Sequence, residues 1–91
     1  MGIDKIFTLG TAIKITTILS LNNPNSVTIT IKDDGEVVKT NEVSMTGDTP
    51  NVFSYIYQSL ETDSEGEYEV TIKATYGSYV ALSKQYFTLE E

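Results

Sequence analysis

Carboxylates and phenols are the side chains of this sequence most able to do chemistry. Asp and Glu number 13 against 6 cations, all lysine, and the chain has no His, Cys, Trp or Arg. The densest acidic run is Glu61-Thr62-Asp63-Ser64-Glu65-Gly66-Glu67. Glu61, Asp63 and Glu65 fall at the first, third and fifth positions of a Ca²⁺-binding loop, with Gly66 at the sixth, where oxygen ligands and a sharp turn are needed. The twelfth position is Ile72, which lacks the bidentate carboxylate that completes such a loop. The run therefore reads first as a solvated turn. Its functional alternative is a Ca²⁺ site shared with carboxylates of a neighbouring domain, and no other cofactor is expected. Asp33, Asp34 and Glu36 form a second acidic tip with the same choice, a hairpin turn or a seat for Ca²⁺ or a Lys-rich partner.

Paired carboxylates can hydrolyse glycosides, but one of the pair must have its pKa raised to act as an acid near neutrality. These carboxylates are expected on hairpin tips and strand edges, where nothing buries them. Without His and Cys there is no ordinary zinc site, no thiolate nucleophile and no proton shuttle near neutral pH. Without Arg there is no bidentate clamp for phosphate. Catalysis is not expected. The aromatic residues offer a different chemistry. Phe53, Tyr55 and Tyr57 share one side of an extended segment and could form a strip that stacks on sugars or meets a protein. The plainer use of these rings, and of Tyr76, Tyr79, Tyr86 and Phe87, is packing within and across strands.

The net charge of −7 argues against nucleic acid and anionic membranes, because both are bound through Lys and Arg. No apolar run approaches the roughly 18–20 residues of a membrane-spanning helix. The first residues, Met1-Gly2-Ile3-Asp4, show neither the basic nor the apolar part of a signal peptide.

The elements that would carry these groups announce themselves by period-two alternation. Val27, Ile29 and Ile31 face one way, Thr28, Thr30 and Lys32 the other. Tyr68, Val70, Ile72, Ala74 and Tyr76 alternate with Glu67, Glu69, Thr71, Lys73 and Thr75. Breakers separate the runs: Asn22-Asn23-Pro24-Asn25, Asp33-Asp34-Gly35-Glu36, Thr46 to Asn51, and Gly77-Ser78. In the second of these, glycine's tolerance of positive φ marks a hairpin. Seven strands are expected, at about residues 3–9, 12–21, 26–32, 36–43, 52–60, 67–76 and 79–89. In the last, Val80 and Leu82 are even and Phe87 and Leu89 odd, the slip that a β-bulge produces. Seven short strands at this spacing specify an all-β sandwich or barrel of one domain.

Ser64-Glu65-Gly66-Glu67-Tyr68-Glu69-Val70 resembles the corner before the sixth strand of immunoglobulin-like domains. There a Gly and then a Tyr precede the strand, and the tyrosine hydroxyl bonds back to the backbone of the corner. Gly66 and Tyr68 are the matching residues. Val70 occupies the place of a disulfide cysteine in antibody domains, so the resemblance implies a disulfide-free form. Residues 27–38, with the Asp-Gly hairpin and Val37-Val38, are similar to the hairpin of bacterial and archaeal secreted modules of this kind, and the likeness extends over about residues 12–89. Macroglobulin-like and fibronectin-III-like domains share the layout. The resemblance implies a seven-stranded antiparallel immunoglobulin-like β-sandwich. It also implies an extracellular or cell-surface setting, and adhesion, assembly or spacing as the role. The partners implied are neighbouring domains of the same chain or another surface protein. The alternatives are an accessory carbohydrate-binding domain of an extracellular hydrolase and a structural domain of a pilus, archaellum or surface layer.

Overall fold

A computed structural model describes residues 5–91, so the expected start of the first strand at residues 3 and 4 lies outside the described residues. The strands are β1 (Lys5–Thr8), β2 (Ala12–Ile18), β3 (Ser26–Lys32), β4 (Val38–Ser44), β5 (Thr46–Thr49), β6 (Val52–Gln58), β7 (Gly66–Tyr76) and β8 (Tyr79–Glu90). They form two sheets, a five-stranded one in the order β1-β8-β7-β3-β4 and a three-stranded one in the order β2-β6-β5. The described chain is all-β.

Alternation decides which side of each strand is buried. Ile13 and Ile15 of β2 and Tyr57 of β6 come from the smaller sheet. Val27, Ile29 and Ile31 of β3, Tyr68, Val70 and Ile72 of β7, and Phe87 and Leu89 of β8 come from the larger. All are buried in one common core. Each large aliphatic side chain so buried stabilises the fold by about 1.5–3 kcal/mol through loss of apolar contact with water. Four rings close one end of the core. Tyr68 stacks on Phe87 with centroids 5.2 Å apart, Tyr57 lies 6.4 Å from Tyr68, and Phe7 of β1 meets Phe87 edge-on at 6.2 Å.

Three details depart from the expectations. The described residues form eight strands, not seven, and the larger sheet is mixed, because β1 runs parallel to β8, with Lys5 opposite Phe87 and Phe7 opposite Leu89. Gly10, at φ +94°, lets the chain leave β1 and enter the other sheet, so β1 and β2 never become a hairpin. The extra strand is β5, within the expected breaker from Thr46 to Asn51. Its four residues are all exposed and carry no apolar signal. It is a strand because it pairs with β6, and tertiary pairing outweighs weak propensity.

The third departure is the bulge expected in the last strand. The β7–β8 ladder is unbroken from Gly66 opposite Leu89 to Tyr76 opposite Tyr79. Val80 and Leu82 are outward-facing and exposed, so bulky apolar residues on the solvent side imitate a change of phase. The irregularities lie elsewhere, between Ile29 and Lys32 in the β3–β4 ladder and between Gly47 and Thr49 beside β6. The buried Met45, whose N–H donates to the Val27 carbonyl at 2.9 Å, marks where the chain crosses from β4 to β5 and changes sheet.

The β3–β4 hairpin also corrects a local expectation. Gly35 does not adopt positive φ there; Glu36 does, at +61°. The Asp33 carbonyl accepts from Glu36 N–H at 3.0 Å, and Asp33 Oδ1 accepts from Gly35 N–H and Val37 N–H, each at 2.9 Å. Asp33 thus holds the turn and is itself buried. A side chain in the left-handed region costs about 1–2 kcal/mol. Glu36→Gly is therefore expected to stabilise the protein by about 0.5–1 kcal/mol, after the added chain entropy of glycine is subtracted. A higher urea midpoint at unchanged slope is the expected reading. An unchanged or lower midpoint would show that the Glu36 side chain contributes more than its backbone geometry costs.

Candidate functional site

The end of the core closed by the four rings also carries the best-connected polar group. After β6 the chain turns through Ser59 to Glu65 and enters β7 at Gly66. Gly66 sits at φ +128°, and a Cβ there would lie 2.9 Å from Asp34 Cβ, so only glycine lets the turn pass this close to the β3–β4 hairpin. Tyr68, wholly buried, donates its hydroxyl to the Ser64 carbonyl at 2.8 Å and fastens the turn to the core. Burial pushes the Tyr68 phenol up to about 12, with the negative charges of Asp63 and Asp33 adding to it.

Asp63 lies in the same turn. Its Oδ2 accepts from the Tyr57 hydroxyl at 3.0 Å and from Leu60 N–H at 2.8 Å, and its Oδ1 lies 3.4 Å from Lys39 Nζ. One carboxylate thus ties β6, the turn and β4, which belong to different sheets. Burial works against the Asp63 charge, but the Leu60 amide, the Tyr57 hydroxyl and the Lys39 ammonium outweigh it and hold the carboxyl below its ordinary value. Tyr57 moves the other way. Its burial, then its bond to Asp63, push the phenol far above the usual range. None of these three groups exchanges protons near neutral pH.

The residues singled out from the sequence fall as follows. Asp63 is engaged with protein partners, while Glu61 and Glu65 are exposed, and among the described residues no three acidic side chains converge on a point that could hold a metal ion. Phe53, Tyr55 and Tyr57 do share a side, and it is the inner one. Tyr57 is 7% exposed, and Phe53 and Tyr55 are half-buried against the core. On the opposite side of β6, Ile56 is 63% exposed. Asp34 and Glu36 rim a shallow depression with Glu67, Glu69, Lys32 and Tyr86.

Two groups escaped the sequence reading. Lys39 had no signal beyond being a cation on a short strand. Gln85 of β8 spans the two sheets, donating from Nε2 to the Thr16 carbonyl of β2 at 3.0 Å. It stands on the inner side of β8 with Phe87 and Leu89, where a polar residue next to that apolar pair was the available clue. Beside it a cleft of about 100 Å³ opens between the sheets, floored by Phe7, Ile13, Ile15, Val70 and Phe87, with Lys5 and Lys14 among its lining residues.

By architecture the chain is an all-β protein of two sheets around one core. Compared with protein-family models, curated proteins and solved structures, it matches none. No helix among the described residues is long and apolar enough to cross a membrane.

Proposed function

We propose that this chain is a non-enzymatic, immunoglobulin-like module of a secreted or cell-surface protein, serving adhesion, assembly or spacing. The observation that carries the reading is the strand order together with the tyrosine at the turn. In immunoglobulin-like sandwiches the third, sixth and seventh strands share one sheet, and the second and fifth lie in the other. Here β3, β7 and β8 lie together, β2 and β6 lie opposite, and the short β1 flanks the last strand. Tyr68, near the start of β7, bonds back to Ser64, as the corner tyrosine of that family does. Tyr57, Asp63 and Tyr68 at the corner are shifted away from neutrality, so none of the three is poised there as a general acid or base.

The carbohydrate-binding alternative calls for a coplanar, solvent-facing strip of rings. The inward placement of Tyr57 and the half-burial of Phe53 and Tyr55 do not favour it. Surface placement is tested by treating intact cells that carry an epitope-tagged copy of the parent protein with an added protease. Loss of the tag from intact cells is expected. A tag that survives on intact cells and disappears only after lysis would end the surface reading.

A further inference from the structure

β2 is an edge strand of the smaller sheet, and its free side can be read from its hydrogen bonds. Within an antiparallel strand, the N–H and C=O of one residue point to the same side, and successive residues alternate. The Thr11 carbonyl accepts from Ser59 N–H, and Leu19 N–H donates to the Asn51 carbonyl, so the odd positions face β6. Ala12, Lys14, Thr16 and Ile18 therefore present their backbone groups to the other side. Among the described residues only one of these groups is met there, the Thr16 carbonyl, by the side chain of Gln85. A seven-residue edge with open donors and acceptors is a template for another strand.

The cleft alongside specifies what kind of strand. Its lining is mixed, with Lys5, Lys14, Thr16 and Gln85 beside the apolar Phe7, Ile13, Ile15 and Phe87. A strand added to β2 turns every second side chain toward that inner, apolar side, so the occupant has apolar residues at alternate positions. Its charged lining residues are Lys5 and Lys14, with no carboxylate, although the chain holds 13 acidic residues against 6 lysines. Both lysines are exposed, and both recorded ion pairs of the described chain use other lysines, Lys39 and Lys84. A second copy is a poor occupant, because edge-to-edge pairing would bring Lys14 toward its own equivalent between two molecules of charge −7.

We infer that the free edge of β2 and the adjoining cleft accept an extended segment of a different polypeptide, apolar at every second position and acidic between. Gln85 holds the Thr16 carbonyl until the incoming strand takes it. The inference rests on reading the chain as an interaction module and names the surface and the partner chemistry for it.

The probe is a synthetic octapeptide of alternating valine and glutamate, titrated into the ¹⁵N-labelled protein and followed by NMR. A peptide with lysine replacing glutamate is the control. Amide shifts are expected to concentrate on Ala12, Lys14, Thr16 and Ile18 and on the Gln85 side chain. The lysine peptide, and the acidic peptide on Lys14→Glu, are expected to bind about five- to tenfold more weakly, as loss of one or two exposed charge pairs implies. Thr16→Pro removes a donor that faces away from β6, so it should abolish binding while the melting midpoint stays close to that of the parent. Unmoved β2 amides at peptide saturation, or equal affinity for both peptides, would overturn the inference. Shifts confined to the outer face of the five-stranded sheet would overturn the edge assignment and leave the interaction reading standing.

Discussion

Tyr68→Ala is expected to be the most damaging single change in this protein, lowering stability by about 3–5 kcal/mol. The ring is wholly buried and lies 5.2 Å from Phe87 and 6.4 Å from Tyr57, so its removal leaves a cavity among packed rings. A domain of this size has roughly 5–15 kcal/mol in total, so the change removes a large fraction of it. The informative companion is Tyr68→Phe. It keeps the ring and removes only the hydroxyl that bonds to the Ser64 carbonyl at 2.8 Å. About 1–2 kcal/mol is expected, the worth of one hydrogen bond and of a carbonyl left without its partner. Urea unfolding at constant slope measures both. A Tyr68→Phe variant as stable as the parent would mean that the turn is held by its other bonds, and the hydroxyl would lose its structural role.

The comparison of Tyr68 with Val80 shows which parts of the fold can be read in the sequence. Tyr68 sits in an alternation that runs without interruption from Glu67 to Tyr76, and burial in β7 follows it from Glu67 to Ala74. Val80 and Leu82 are equally apolar, yet they face water, because burial depends on which side of β8 the other sheet covers. Hydropathy registers the side chain and not the cover. β5 was illegible for a related reason: in Thr46-Gly47-Asp48-Thr49 the two threonines are offset by Gly47 and Asp48 and no apolar residue alternates, so the presence of β6 beside it is what makes a strand. The parallel β1–β8 pair joins the two ends of the described chain, a relation that no local pattern encodes. At the candidate sites, the acidic content of the turn at residues 61–67 was plain. That one of its carboxylates turns inward to Tyr57 and Lys39 was not, since both partners lie on other strands.

That inward carboxylate gives the second large effect. Asp63→Ala removes the acceptor of Tyr57 and Leu60 and the partner of Lys39, and leaves the Tyr57 hydroxyl without its acceptor at 7% residue exposure. A loss of about 2–4 kcal/mol is expected, since hydrogen bonds to a charged group exceed neutral ones and a stranded hydroxyl adds its own cost. Lys39→Met should cost under about 1 kcal/mol, because that ammonium is partly solvated and its bond is the longest of the three. The pH dependence separates a charge effect from a packing effect. In the folded state the Asp63 carboxyl titrates below its ordinary value of 3.8. Its contribution is therefore complete above the unfolded-state value and is lost as pH falls through the lower, folded-state value. The stability difference between the parent and Asp63→Asn should be constant through neutral pH and shrink only in acid. Urea midpoints measured from neutrality down to about pH 2.5 would trace this, the window being set by the ordinary carboxyl range. A difference that stayed the same down to the acid end would mean that Asp63 acts by shape and neutral hydrogen bonding. The brace between the two sheets would then owe nothing to its charge.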